Sequence, residues 1–226
     1  ELVFMDKMGA EIAHFSTAEQ KKQYQIEKKN LKTGGNTFNW NMRYAKAKDF
    51  EGMILWWGSL DGPLAMPGEY QVKLLVNGQE QTQPFTITAD PRPQTSAADY
   101  QKQFDFLTEI RDKVTEAHEA IVDIRDIRTQ LNGYTKRLDK TDTNNKALLD
   151  LAKSINGELK KVEEALYQTQ NKARQDPLNF PIRLTNKLAH LTSLTFGDYP
   201  PTDQAVAVKE DLTRRIDTEL ATFYRI

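Results

Sequence analysis

The residues that could carry acid–base, nucleophilic or metal chemistry are few and lie far apart in the sequence. There are three histidines, His14, His118 and His190, and no cysteine. No two histidines have the short spacing at which a pair binds one zinc ion from the same helix. The chain also lacks the Gly-x-Ser-x-Gly segment that presents a nucleophilic serine on a sharp turn. We therefore predict no catalytic residue, no metal ion and no cofactor.

Phosphate binding and glycoside hydrolysis are not indicated by the sequence either. Neither a Gly-x-Gly-x-x-Gly loop nor a Gly-Lys-Ser/Thr loop occurs. Acidic residues are plentiful, as at Glu163 and Glu164, but they fall on expected helices, where such residues usually face solvent or pair with Lys and Arg. A glycosidase needs two carboxylates that face one sugar across a cleft, and no such pair can be identified.

The aromatic residues offer a binding chemistry instead. Trp56 and Trp57 are adjacent in a long connection from Ala45 to Met66, and Tyr70 follows it. Long loops within compact domains are often functional or packed against a neighbouring part of the protein. Planar apolar rings suit the CH face of a sugar, so Trp56, Trp57 and Tyr70 are candidate stacking residues for a carbohydrate. The alternative is that the tryptophans cap a β core or are covered by another part of a longer protein.

Composition limits the classes of partner. The chain has 226 residues, with 31 Lys and Arg against 32 Asp and Glu, and a net charge of −1. This balance gives no electrostatic reason to expect a nucleic acid or an anionic membrane surface as partner. No apolar run reaches the roughly 18 residues that a membrane span needs, so we expect no membrane insertion. The chain begins at Glu1 without an initiating Met, and we expect it to be a fragment or a processed product of a longer protein.

The first part of the chain has the pattern of β structure. Apolar residues favour a hairpin over 2–15, and Phe38, Trp40, Met42 and Tyr44 alternate with polar residues, which is typical of a strand with one buried face. A second hairpin is predicted on both sides of Asn77-Gly78, because both residues tolerate positive φ. About six or seven short strands in residues 1–92 predict an immunoglobulin-like or fibronectin-like β-sandwich.

The rest of the chain, residues 93–226, has helical periodicity. We predict an antiparallel α-helical bundle, so that the whole chain is an α+β protein of two domains. Arg125 and Arg128 follow the apolar stripe of the first helix, where they could pair with the second helix or dock the bundle onto the β domain. The predicted helices are a long one capped by Ser96 with Asp99 and closed at Asn132-Gly133, a second from Asp142 or Thr143 to Asp176-Pro177, a short third from about Pro181, and a fourth capped by Thr202.

Six segments of the chain also resemble recurring segments of one large bacterial family. They are Gly34–Tyr44, Gly52–Ser59, Gly62–Tyr70, Ala89–Arg92, Leu178–Leu188 and Pro201–Gln204. The family that they resemble is the C-terminal region of the BNR/Asp-box repeat, sortilin-like β-propeller proteins, which are commonly labelled glycosyl hydrolases. The resemblance covers essentially the whole chain, but the Asp-box signature Ser-x-Asp-x-Gly-x-x-Trp is absent.

The resemblance implies an accessory role. It predicts a non-catalytic structural module that lies after the N-terminal β-propeller of the same protein and packs against it or mediates interactions. It also predicts an extracytoplasmic location, periplasmic or secreted. The alternative from the residues themselves is a carbohydrate-binding module that uses Trp56, Trp57 and Tyr70. A third interpretation is that the loop 50–66 completes a site in the parent protein.

Overall fold

The structure is a computed structural model that describes residues 1–19, 22–138, 142–195 and 197–226. Within these residues an α+β mixture is present, with one antiparallel sheet and four α-helices. Short 3₁₀ turns connect some of these elements. The strands are β1 (Leu2–Asp6), β2 (Glu11–Phe15), β3 (Gly68–Val76) and β4 (Gln79–Ile87), and the helices are α1 (Ala97–Thr135), α2 (Thr143–Leu166), α3 (Leu184–His190) and α4 (Asp203–Phe223).

The sheet has the strand order β2-β1-β3-β4, and all its neighbours are antiparallel. Both predicted hairpins are confirmed. Asn77 and Gly78 form the second turn with φ of 51° and 81°, because these two residues adopt the left-handed region at low cost. One face of the sheet carries an aromatic core in which Phe4 and Tyr70 are buried and Phe85 is partly buried.

The predicted immunoglobulin-like or fibronectin-like β-sandwich is wrong. The described residues form one four-stranded sheet, whereas a sandwich needs two sheets packed face to face. The segment Phe38–Tyr44, predicted as a strand, pairs with the other described residues only through one isolated bridge between Arg43 and Leu64. Its Met42 has a φ of 58°, which interrupts an extended backbone.

The alternation in Phe38–Tyr44 nevertheless marks side chains that pack on the sheet. The ring of Trp40 stacks on Phe4 with centroids 4.2 Å apart, and Phe38 meets Phe15 at 4.8 Å. Aromatic side chains on an irregular segment therefore cover the apolar face that a second sheet would cover in a sandwich. A period of two cannot distinguish these two ways of burying the same rings.

The chain divides into two compact units, and each contains separate stretches of the sequence. Unit 1 comprises residues 1–46, 61–107 and 198–200, and it includes the sheet. Unit 2 comprises residues 47–60, 108–197 and 201–226, and it includes most of the helical residues. The loop 47–60 therefore belongs to unit 2, although residues of unit 1 precede and follow it in the sequence.

The helices of unit 2 form because each has an apolar stripe and defined ends. At α4, the side chain of Thr202 accepts a hydrogen bond from the amide of Ala205, as predicted for an N-cap. Two predicted ends were wrong: α1 continues past Gly133 to Thr135, and α2 stops at Leu166, ten residues before Asp176. Fully or nearly fully buried side chains are Ile110, Val114, Ile121 and Ile124 on α1, Leu159, Val162 and Leu166 on α2, and Leu212, Ile216 and Leu220 on α4.

A buried acidic residue links α1 to α2. The Glu163 side chain is 5% exposed, and its two carboxylate oxygens accept hydrogen bonds from Arg125 at 2.7 Å and from Arg128 at 2.5 Å. The predicted pairing of these arginines with the second helix is thus confirmed within unit 2. A buried carboxylate requires such partners, because an unpaired charge at this depth is strongly unfavourable.

None of the helices in the described part of the chain combines the length and the apolar character needed to span a lipid bilayer.

The close backbone approach at Gly62 generates a prediction for unit 1. A Cβ atom at this position would lie 2.5 Å from the carbonyl oxygen of Ala45 and nearer still to that of Tyr44. Since backbone atoms cannot rotate away, we expect Gly62→Ala to lower the free energy of unfolding by about 1–3 kcal/mol. Urea unfolding measures this. The control Gly35→Ala, where a Cβ meets no atom within 4 Å, should leave stability within about 1 kcal/mol of the wild type. Equal stability of the two variants would contradict the prediction.

Candidate functional site

The loop 47–60 that carries Trp56 and Trp57 is a compact surface loop with its ends held together. The amide of Ala47 donates to the carbonyl of Leu60 at 2.8 Å. Loops of this length whose ends meet are often functional. A segment without regular secondary structure must find partners for its own N–H and C=O groups. In this loop, side chains of the helical unit supply several of them.

Phe50 is the apolar anchor of the loop. Its ring makes edge-on contacts with His118 and Tyr167, with centroids 5.1 and 5.0 Å apart. The guanidinium of Arg125 lies 4.6 Å from the Phe50 centroid, within cation–π range. Further along the loop, the amide of Ile54 donates to the Tyr167 hydroxyl at 2.8 Å. The loop is therefore attached to α1 and to the end of α2.

His118 is fully buried beneath this anchor. Its Nδ1 lies 2.6 Å from the carbonyl oxygen of Lys48, and since a carbonyl only accepts, Nδ1 carries the proton. Nε2 is buried and has no hydrogen-bond partner among the described residues. Burial lowers the pKa of His118, while the hydrogen bond to Lys48 and the charge of Asp49 act in the opposite direction. His118 is consequently a neutral structural residue under the loop.

Asn186 of α3 holds the backbone of Trp56 from both sides. The amide of Trp56 donates to Asn186 Oδ1, and Asn186 Nδ2 donates to the carbonyl of Trp56, both at 2.8 Å. Asn186 is 4% exposed, so these bonds form away from competing water. The next carbonyl, that of Trp57, accepts from Nδ1 of His190 at 2.8 Å. Two side chains of α3 thus define the path of the backbone through the tryptophan pair.

Trp57 combines a strained backbone with an exposed side chain. Its φ is 56°, a conformation that is rare for a bulky residue. Trp57 is 73% exposed, whereas Trp56 is half-buried and meets it edge-on with centroids 6.2 Å apart. Backbone strain of this kind persists only where the surroundings impose it, and it is concentrated at functional sites. The bonds from Asn186 and His190 are what impose it here.

An open cleft adjoins the two tryptophans within unit 2. Its volume is about 500 Å³, and its walls are Met53–Trp57 of the loop together with Arg174 and Gln175. Small-ligand sites usually measure about 300–1,000 Å³. Arg174 and Gln175 follow α2 in the turn before Asp176-Pro177. Neither residue stands out in the sequence as a candidate binding residue, because the only signal in this segment is the turn itself.

Tyr70, the third predicted stacking residue, lies elsewhere. It belongs to β3 in unit 1, is 6% exposed, and its hydroxyl donates to the carbonyl of Met66 at 2.7 Å. Burial raises the pKa of Tyr70, and the nearby Asp6 raises it further, although the hydrogen bond to Met66 opposes them. Its ring stacks on Phe85 at 5.7 Å. Tyr70 is a core residue of the sheet, and its face is not offered to a ligand.

The residues described contain no group of three or more His, Asp or Glu side chains arranged to hold a metal ion.

Comparison of the chain with protein-family models, with curated proteins and with solved structures finds no match in any of the three. The resemblance to the C-terminal region of Asp-box propeller proteins therefore stays a prediction.

The clamp at Trp56 can be tested with Asn186→Leu. This change keeps the side-chain size but leaves the amide and the carbonyl of Trp56 without their partners, and we expect the free energy of unfolding to fall by about 1–3 kcal/mol. Hydrogen exchange of the Trp56 amide should accelerate. The neighbouring exposed residue provides the control Lys187→Ala, which should change neither quantity. Unaltered exchange at Trp56 in the Leu variant would show that the loop does not depend on Asn186.

Buried His118 makes stability depend on pH. Because its pKa is lowered on folding, the unfolded chain takes up the proton first, so the stabilisation is complete above the ordinary pKa of about 6.5 and is lost as the pH falls. The loss cannot exceed about 1.4 kcal/mol per pH unit for one group. Urea unfolding from pH 7.5 to 5.0 should show a smaller loss for His118→Asn, which keeps a donor toward Lys48 but does not titrate. An identical pH slope in the two proteins would contradict the neutral, buried state.

Proposed function

We propose that this chain is a non-catalytic accessory module that recognises a carbohydrate through the cleft beside Trp57. The observation that carries the proposal is the state of Trp57, which is 73% exposed on a backbone with a φ of 56°. Hydrogen bonds from α3 hold this conformation. The presented indole is thus part of a pre-organised surface, which lowers the entropy lost on binding.

The exposure of Trp57 favours recognition over packing. A large apolar side chain stabilises a fold in proportion to the area it removes from water. Most of Trp57 stays in contact with water. The packing of its indole therefore contributes little free energy to offset the backbone strain. Trp56 beside it does the packing, since it is half-buried and its backbone is clamped by Asn186. The two tryptophans have different roles despite their adjacency.

Carbohydrate is the ligand class that these groups suit. A sugar ring presents an apolar CH face that lies flat on an indole and hydroxyl groups that hydrogen-bond to the surrounding side chains. The described walls of the cleft supply such groups in Arg174 and Gln175. Hydrolysis of a glycosidic bond uses two carboxylates, and the described lining of this cleft contains none. The proposal is therefore binding at this cleft without bond cleavage.

A second candidate function follows from the family resemblance. The chain would pack against the N-terminal β-propeller of the same extracytoplasmic protein, with or without a carbohydrate. Leu178 and Leu194 of unit 2, which are 70% and 54% exposed, are the residues that we propose make this contact. Co-purification of the chain with a separately expressed propeller segment tests this candidate, and Leu178→Ser with Leu194→Ser should weaken the association if these residues form the contact.

The test of the carbohydrate proposal is a titration of intrinsic tryptophan fluorescence with a panel of neutral and acidic oligosaccharides. We expect a saturable change, and we expect Trp57→Asn to reduce affinity at least about tenfold, as for a central binding residue. Asn tolerates a positive φ, so this variant removes the indole without adding strain. The control is Tyr134→Ala, which removes a 57% exposed aromatic ring outside the cleft. Binding that survives Trp57→Asn, or no response to any saccharide, would overturn the proposal.

A further inference from the structure

The cleft beside Trp57 contains a single ionised side chain in its described lining, that of Arg174. The other walls are apolar side chains, the two indoles and the amide of Gln175. A cleft with one positive charge and no opposing carboxylate has a defined electrostatic preference. It favours an anionic ligand and disfavours a cationic one.

Arg174 is not used by the fold. It is exposed, and it makes no ion pair or side-chain hydrogen bond with the part of the chain that the structure describes. By contrast, Arg125 and Arg128 are engaged by the buried carboxylate of Glu163. The guanidinium of Arg174 keeps its five donors for a ligand, and its planar fork matches a carboxylate in two parallel hydrogen bonds.

The turn that carries Arg174 is closed by local hydrogen bonds. The carboxylate of Asp176 accepts hydrogen bonds from the amides of Lys172 and Ala173 at 2.6 and 2.8 Å. These bonds lower the pKa of Asp176, so the carboxylate stays ionised and the turn stays closed at neutral pH. Pro177 follows and restricts the backbone further. The carboxylate of Asp176 thus stabilises the turn that contains Arg174.

Each wall of the cleft is therefore pre-organised by its own set of hydrogen bonds. On one side, Asn186 and His190 hold the backbone at Trp56 and Trp57. On the other side, Asp176 holds the turn with Arg174 and Gln175. A ligand that meets both walls needs a flat apolar face for the indole and a negatively charged group for the guanidinium. A hexuronic acid carries both on one six-membered ring.

We propose that this cleft binds the uronic acid residues of an acidic saccharide, with the ring face on Trp57 and the carboxylate on Arg174. The inference rests on the proposed carbohydrate binding and adds the class of sugar. A neutral sugar would use the same indole but would leave Arg174 unpaired. Arg174, and not Trp57, is therefore the residue that distinguishes an acidic sugar from its uncharged ester.

The experiment compares oligogalacturonate, oligoglucuronate and oligomannuronate with their own methyl esters, which keep the ring and remove the charge. Calorimetric titration at 20 mM and 200 mM NaCl should give at least a tenfold preference of the wild type for one acid over its ester, and the preference should shrink at the higher salt. Arg174→Gln should bind acid and ester equally. Trp57→Asn should lose affinity for both. Lys172→Gln, which removes a nearby exposed charge outside the cleft lining, should keep the preference.

The outcomes separate the two proposals. If acid and ester bind equally well and both depend on Trp57, the assignment of Arg174 is overturned while carbohydrate binding stands. If Arg174→Gln keeps the preference for the acid, the assignment is also overturned. If the wild type binds none of the uronates, the inference fails, and the neutral saccharides of the wider panel then decide the proposed function by themselves. Circular dichroism and melting temperature confirm that the variants are folded, as expected for exposed positions.

Discussion

The hydrogen bonding of one irregular loop is the constraint on which the candidate site depends. The loop 47–60 has no helix or strand of its own to pair its backbone, and a buried N–H or C=O group without a partner is costly. Helical side chains meet this need: Tyr167 accepts from Ile54, Asn186 pairs with both polar groups of Trp56, and a histidine of α3 reaches the next carbonyl. The position of the tryptophan pair follows from these bonds.

The same bonds explain how a strained and exposed tryptophan persists. At Trp57 the backbone is left-handed and the side chain gains little from burial. Such a conformation would relax if the flanking residues were free to move. The clamp at Trp56 and the apolar anchor at Phe50 lie on the N-terminal side of it, and the closed base of the loop at Leu60 lies beyond it. The unfavourable free energy of the backbone strain at Trp57 is thus offset by interactions of residues several positions away in the same unit.

In unit 1, an irregular segment covers the apolar face of the sheet. A four-stranded sheet exposes two faces, and one of them carries the aromatic cluster around Phe4 and Tyr70. A sandwich would cover this face with a second sheet. Here the irregular segment 38–44 covers it, with Trp40 stacked on Phe4. Side-chain burial and backbone hydrogen bonding are separate requirements, and this segment satisfies the first without joining the sheet.

The sequence by itself determined the features that depend on neighbouring residues. Turn chemistry at Asn77-Gly78, the cap at Thr202 and the long apolar stripes were readable, because each rests on contacts within a few positions along the chain. The predicted cap at Ser96 also forms, since the Ser96 hydroxyl accepts a hydrogen bond from the amide of Asp99 at 3.2 Å. Only the tertiary structure decided that Tyr70 is a core residue, that the segment 38–44 is not a strand, and that Arg174 lies beside Trp57. These outcomes depend on residues as many as 117 positions apart. The hydrophobic pattern shows that a side chain is suited to burial or to binding. Whether another part of the chain covers that side chain or leaves it exposed depends on the packing of the whole unit.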